Sequence, residues 1–370
     1  MRFRTPGLLL TLLTALSLAA CGGGSDGGDD DHPGPAADAA VSADAAPGDC
    51  PASGTTPNKL DLLFVVDNSN SMQFKQQQLV TAFPQLIAQL RDQSGNLPDL
   101  HVGVISSSMS IGGYLVPGCL GDDGQLQGSP RTAGCRGPNR PYLADEIAAD
   151  GSRVPDFNGT LEEAFACIAP LGTSGCAFEQ HLGSLVRALD PTNYYNAGFL
   201  RKDAVLGVII LADEDDCSAS DTEIFDPDNG SLGELASFRC TEYGVTCAEG
   251  NVARAAASYT GCRPRTDSYL IDPASVTTLL QSVTCDASKV LVAGIVGDPS
   301  PVQVVTTPDL GEPRLSNSCS TANNDGAAPA VRIASVISAF PGGVNASICG
   351  GDDTDAMSQI GRKLAGMLGR

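Results

Sequence analysis

Four short apolar runs, separated by segments of helical or irregular pattern, restrict what this chain can fold into more than any other feature. They are Leu60-Asp61-Leu62-Leu63-Phe64-Val65-Val66, His101-Val102-Gly103-Val104-Ile105-Ser106, Val205–Ala212 and Val290–Val296. A nearly continuous apolar run of strand length suits a strand covered on both faces, because a half-exposed strand would alternate apolar and polar positions. Between the runs, Leu79, Phe83, Leu86, Ile87 and Leu90 recur at helical spacing, with Pro84 expected to kink or restart that helix. Leu182, Leu185, Val186 and Leu189 mark another helix, and two closing helices are expected around residues 328–340 and 355–368. In the last, the stripe of Ile360, Leu364, Met367 and Leu368 reads as core packing. Strands alternating with helices imply an α/β fold, an open and mainly parallel sheet with helices on both faces. Ligands of such sheets sit at the carboxyl ends of the strands, which is where candidate site residues are sought.

Two long irregular stretches, about 107–160 and 217–268, interrupt that skeleton and carry many of the thirteen cysteines. Structureless loops of this length are uncommon in a compact domain unless they are stapled or functional. Disulfides would supply the staples. With one cysteine set apart below, twelve remain, an even number that suggests six bonds in an oxidising compartment. A zinc site is the poorer reading, since no pair of C-x-x-C motifs occurs and the chain has only three histidines. Connectivity does not follow from sequence. Short separation alone suggests Cys119–Cys135, Cys167–Cys176 and Cys240–Cys247.

The compartment is set by the first residues. Arg2 and Arg4 precede the apolar run Leu8-Leu9-Leu10-Thr11-Leu12-Leu13, too short for an ordinary membrane-spanning helix and placed as a secretion signal. Leu18-Ala19-Ala20-Cys21 resembles the lipobox of bacterial lipoproteins, which implies cleavage of residues 1–20 and acylation of Cys21. The expected anchor is this lipid alone. Residues 21–57 form the acylated cysteine and an acidic tether of Gly, Ala, Asp, Ser and Pro with almost nothing to bury. As a flexible coil, residues 22–57 span roughly 33 Å. Gly22 lacks the aspartate that often retains lipoproteins in the inner membrane, so the outer membrane is the expected address. Residues 58–370 then make the folded domain with its two insertions. Loss of Arg2 and Arg4 with the leader takes the net charge from −21 to −23, which argues against nucleic acid or an anionic membrane surface as partner.

The chemistry gathers at two of the expected strand ends. After the first run stands Asp67-Asn68-Ser69-Asn70-Ser71-Met72. Its D-x-S-x-S spacing brings a carboxylate and two hydroxyls to one place where the chain turns toward a helix. These are hard oxygen ligands, suited to Mg²⁺, Mn²⁺ or Ca²⁺. Helix capping is the plainer alternative, since Asp and Ser are favoured N-cap residues. The third run ends in Asp213, and Leu171-Gly172-Thr173-Ser174-Gly175 offers Thr173, or else Ser174, as a further hydroxyl on the same rim.

At this point the chain resembles the von Willebrand factor type A family and its metal-ion-dependent adhesion site. The resemblance implies a Rossmann-like sheet wrapped by helices. It maps the family's metal ligands onto Asp67, Ser69, Ser71, Thr173 and Asp213. It also implies a divalent cation, Mg²⁺ before Ca²⁺ or Mn²⁺, with one coordination position left for an acidic group of a protein or polysaccharide partner. Where many relatives carry a glycine after the last aspartate, this chain has Asp213-Glu214-Asp215-Asp216-Cys217. That run is read as a solvated acidic loop held by Cys217, with a second ion site as the alternative. Together with Ser237-Phe238-Arg239-Cys240 it is similar to the cysteine-rich A-domain lipoproteins of myxobacteria and related delta-proteobacteria.

Enzymatic readings find less support. There is no G-x-x-x-x-G-K-[ST] loop and no G-x-S-x-G elbow. A two-metal phosphoesterase built on the acidic run is the surviving catalytic alternative. The other rival is a structural or assembly subunit of an envelope complex whose metal only stabilises the fold. The expectation is a metal-dependent binding or adhesion module, not an enzyme.

Overall fold

The computed structural model describes Cys50 and residues 58–116, 118–321 and 325–370. The leader, Cys21 and the tether apart from Cys50 lie outside the described residues. All four apolar runs are strands, β1 (Lys59–Val66), β2 (Asp99–Ser106), β5 (Val205–Ala212) and β6 (Val290–Val296), and three shorter strands join them, β3 (Leu143–Ile147), β4 (Arg153–Pro155) and β7 (Val344–Ser347). They form one seven-stranded sheet in the order β7-β6-β5-β1-β2-β3-β4. The pairs β7-β6, β6-β5, β5-β1 and β1-β2 are parallel; β2-β3 and β3-β4 are antiparallel. The sheet is therefore mixed, and β3 and β4 come from the stretch read as irregular between residues 107 and 160. Neither is apolar enough to announce itself, because β4 is an exposed edge and β3 is covered only in part.

Along β1 the two faces separate cleanly. Leu60, Leu62, Phe64 and Val66 point into one core with α1 (Gln73–Leu90), α2 (Leu161–Ile168) and the last helix of the chain, Thr354–Met367. Leu63 and Val65 point into the other, against α3 (His181–Ala188) and two later helices, Pro273–Ser282 and Val331–Ser338. Counting α4 (Phe238–Gly244) in chain order, these last three are α5 (Pro273–Ser282), α6 (Val331–Ser338) and α7 (Thr354–Met367). Both faces being covered explains why the runs carry no alternation. The one fully buried charge of β1, Asp61, accepts from the backbone N–H and the Nε of Arg201 at 2.6 and 2.8 Å. Pro84 neither ends nor restarts α1. It lies on the exposed side, while Phe83, Leu86 and Ile87 hold the helix to the core.

Six disulfides close the described cysteines: Cys50–Cys285, Cys119–Cys176, Cys135–Cys167, Cys217–Cys240, Cys247–Cys262 and Cys319–Cys349. The number agrees with the sequence expectation, but none of the three pairings suggested by short separation occurs. Bonding follows where the folded segments lie. Cys135 reaches Cys167 within α2 and Cys119 reaches Cys176 in the segment between α2 and α3, so the first insertion is clamped onto the helix layer at two points. Among the described residues no helix is long and apolar enough to cross a membrane.

Candidate metal centre

Register places the site. Val66, the last residue of β1, lies beside Leu211 of β5, and the Asp67 N–H donates to the Leu211 carbonyl at 2.9 Å. Asp67 and Asp213 therefore leave the sheet from the carboxyl ends of adjacent strands. Asp67 is completely buried. Its Oδ1 accepts from the Ser69 N–H at 2.7 Å, folding the loop back on itself, while Oδ2 has no hydrogen-bond partner. The Ser69 and Ser71 hydroxyls stand 3.2 Å apart. Helix capping does not explain these side chains: the N-cap of α1 is Met72, and no side chain caps that end.

Asp213 is 3% exposed. Its Oδ2 accepts from Lys75 Nζ at 2.9 Å, and its Oδ1 is buried without a partner. Lys75, itself 2% exposed, also donates to both carboxylate oxygens of Asp325 at 2.9 and 3.0 Å. Burial raises the Asp213 pKa, the Asp67 charge raises it further, and Lys75 opposes both.

The Thr173 loop lies beside the Asp67–Ser71 turn, where the Gly175 N–H donates to the Asn68 carbonyl at 2.9 Å. It is tied to α1 through Gln76, whose Nε2 donates to Asp67 O and to Gly172 O at 2.8 and 2.9 Å. Thr173 lines two shallow clefts, one with Gln73 and Arg131 and the other with Asn68 and Ser108. A side chain that does face the aspartates is Glu179, 2% exposed at the entry to α3. Its pKa is driven well above the usual carboxylate range, first by burial and then by Glu214, Asp67 and Asp213. Glu214 is pushed up to about 7, by burial and then by Asp67 and Asp213. A cavity of about 350 Å³ opens beside them, floored by Ser71, Glu179, Asp213 and Glu214 and walled partly by Phe238 and Leu315.

The acidic run is not a solvated loop. Asp215 accepts from the Arg332 and Ile333 N–H groups at 2.9 and 3.2 Å, satisfying the first turn of α6. Burial raises its pKa to about 6. Asp216 is fully buried, accepts from the Leu182 N–H of α3 at 2.9 Å, and pairs with Arg332 at 3.1 Å. All four acids border the cavity, but the oxygens of Asp215 and Asp216 hold helix ends. The latter two are thus already engaged where a second ion site was the alternative.

His181 opens α3 and is also fully buried; neither ring nitrogen has a hydrogen-bond partner. Nε2 lies 3.7 Å from Asp67 Oδ2. Burial works to lower the His181 pKa, but Asp67, with Asp216 and Asp215 behind it, raises it above the ordinary value.

Asp67, Asp213, Glu179 and Glu214 thus crowd one strand-end rim with Lys75 and His181 as the nearby groups able to carry positive charge. Two buried carboxylate oxygens, Asp67 Oδ2 and Asp213 Oδ1, are left unpaired. Buried carboxylates without partners are costly, and a cation offsets that cost. The donor set fits a divalent ion preferring oxygen. Among the described residues no three His, Cys, Asp or Glu side chains form a ready-made cage, so the serine hydroxyls would have to complete any such site. Fold and site together define an α/β domain with a carboxylate and hydroxyl cluster at the carboxyl edge of a mixed, disulfide-stapled sheet. Neither models of known families nor curated proteins match the chain.

Proposed function

We propose that the chain is an exported, lipid-anchored binding module of the von Willebrand factor type A kind. Its Asp67, Ser69, Ser71 and Asp213 would hold a divalent cation that captures an acidic group on a protein or polysaccharide partner. The observation that carries this reading is the pair of buried, unpartnered oxygens on Asp67 and Asp213, beside two hydroxyls that cap nothing. The cation would supply a positive centre with exchangeable positions. The protein's part is to bring two carboxylates off adjacent strand ends and keep Ser69 and Ser71 converged, with Ser71 and Asp213 bordering the cavity. Thr173, from the loop beside the Asp67–Ser71 turn, would add a further hydroxyl, and Glu179 a further carboxylate on the same rim. Acylation of Cys21 would place the module at the envelope, in the outer membrane by the sequence at Gly22.

A chelator-stripped chain, exported so that its disulfides form, tests the reading by thermal unfolding during titration with Mg²⁺, Mn²⁺ and Ca²⁺. A cation at a hundredfold excess over its dissociation constant stabilises the native state by about 2.7 kcal/mol. Asp67→Ala removes that gain. No saturable gain from any of the three cations would sink the proposal.

A second reading rests on Lys75. Its ammonium already neutralises Asp213 and ties it to Asp325, which lets the fold stand without an ion. In that case the chain serves as an assembly subunit that binds through its insertions. Capture of an envelope partner that is indifferent to chelator would favour this reading over the first.

A further inference from the structure

His181 is the buried group at this rim that the metal-binding reading leaves without a task. The other described histidine shows how the fold ordinarily treats a buried imidazole. His101 Nδ1 pairs with the Phe199 carbonyl at 2.8 Å and Nε2 with Glu146 Oε1 at 3.0 Å. His181 is buried just as deeply, yet both its nitrogens are idle. Nε2 faces Asp67 Oδ2, which is also buried and unpartnered, across 3.7 Å. That is too long for a hydrogen bond. Two ligands of one first-row cation, each about 2.1 Å from it, can stand up to about 4.2 Å apart, so the gap lies within the reach of a shared ion. The first turn of α3 brings Glu179 to the same rim, and the Asp216 carboxylate holds that turn in place through the Leu182 N–H.

We propose that His181 Nε2 is a ligand of the cation held by Asp67, so that the centre takes a first-row transition cation in preference to Mg²⁺ or Ca²⁺. The inference rests on the metal-binding reading above and deepens it. Imidazole raises affinity for transition cations, whereas Mg²⁺ and Ca²⁺ favour shells of oxygen alone. A site for softer ions is not on offer, because all twelve described cysteines are in disulfides.

Mn²⁺ is the probe, since it accepts both carboxylate and imidazole and is paramagnetic. The exported chain is prepared with ordinary and with ¹⁵N-labelled histidine, stripped, loaded with Mn²⁺ and examined by pulsed electron spin resonance. The expected result is coupling to a directly bound nitrogen that changes with the isotope. It persists in His101→Gln and disappears in His181→Gln, and the latter loses Mn²⁺ affinity by roughly ten- to a hundredfold while Mg²⁺ binding changes little. The isotope comparison on the unaltered chain needs no variant, so a folding defect in His181→Gln leaves the test intact. Saturable Mn²⁺ binding without histidine nitrogen coupling overturns the assignment of His181 and leaves the metal-binding reading standing. Absence of saturable binding by any cation overturns both.

Discussion

Asp213, Glu214, Asp215 and Asp216 are neighbours in the chain, yet each meets a different partner, and the partner decides what its loss does. Asp216 stands against the buried Arg332 guanidinium and the first turn of α3. Asp216→Ala leaves Arg332 buried and uncompensated, so the oxidised protein should lose about 3–5 kcal/mol of stability, read from denaturant midpoints. Stability unchanged within 1 kcal/mol would show that water replaces the pair. Asp213→Asn takes one carboxylate from the buried Lys75 but leaves it paired with Asp325, so it should cost less stability than Asp216→Ala while abolishing the cation response. At this scale the sequence makes Asp67, Ser69, Ser71 and Asp213 visible, because their roles follow from local spacing and from strand ends. Glu179 and His181 are not visible in the same way. They come from a helix entry more than a hundred residues from Asp67, and their meeting depends on how α3 docks. A trace of Lys75 was there: it falls four residues before Leu79 on the buried stripe of α1, a position where a lysine requires a partner.

Strands and helices here are held at their ends by groups from distant parts of the chain. The carboxylates of Asp215 and Asp216 satisfy amides of α6 and α3, so the loop after β5 fixes both helices relative to the rim. Gly297, directly after β6, shows how tightly that edge is packed. A Cβ there would lie 1.9 Å from the Ala328 carbonyl oxygen. The Ala328 N–H donates to the Asp213 carbonyl at 2.8 Å. Gly297→Ala must therefore displace backbone beside the site. It should cost about 1–3 kcal/mol, as overpacking does, and weaken the cation-induced rise in melting temperature. A variant with unaltered midpoint and unaltered cation response would show that the edge yields freely. Alternation of buried runs with helical periodicity made β1, β2, β5, β6, α1, α3, α6 and α7 legible. β7 was not, because only Val344 among its residues is buried and four residues give no period to read.

For the whole molecule, the widest constraint is Cys50–Cys285, separated by 235 residues. It fastens the segment ahead of β1 to the one ahead of β6, and the Cys285 N–H donates to the Lys202 carbonyl at 2.8 Å. Replacing both cysteines by serine frees the unfolded chain of a very long loop and should lower stability by about 2–5 kcal/mol. The cation response should survive, because the bond does not touch the rim. Loss of that response would mean that the site depends on this distant tie. A preparation for any of these measurements must keep Cys50, since a domain begun at β1 would leave Cys285 without its partner.

Burial pattern by itself determined the α/β class, the two covered faces of the sheet and the strand ends that carry Asp67 and Asp213, because these follow from periodicity over adjacent residues. The twelve cysteines left once Cys21 is set aside pointed to six bonds. Tertiary structure alone decided which cysteines pair, that the first insertion donates β3 and β4 to the sheet edge, and that Asp215 and Asp216 serve helix ends. It also brought Glu179 and His181 to the aspartates. These outcomes depend on distances between segments far apart in the chain, and such distances are set by how helices dock and strands register, which local spacing does not encode.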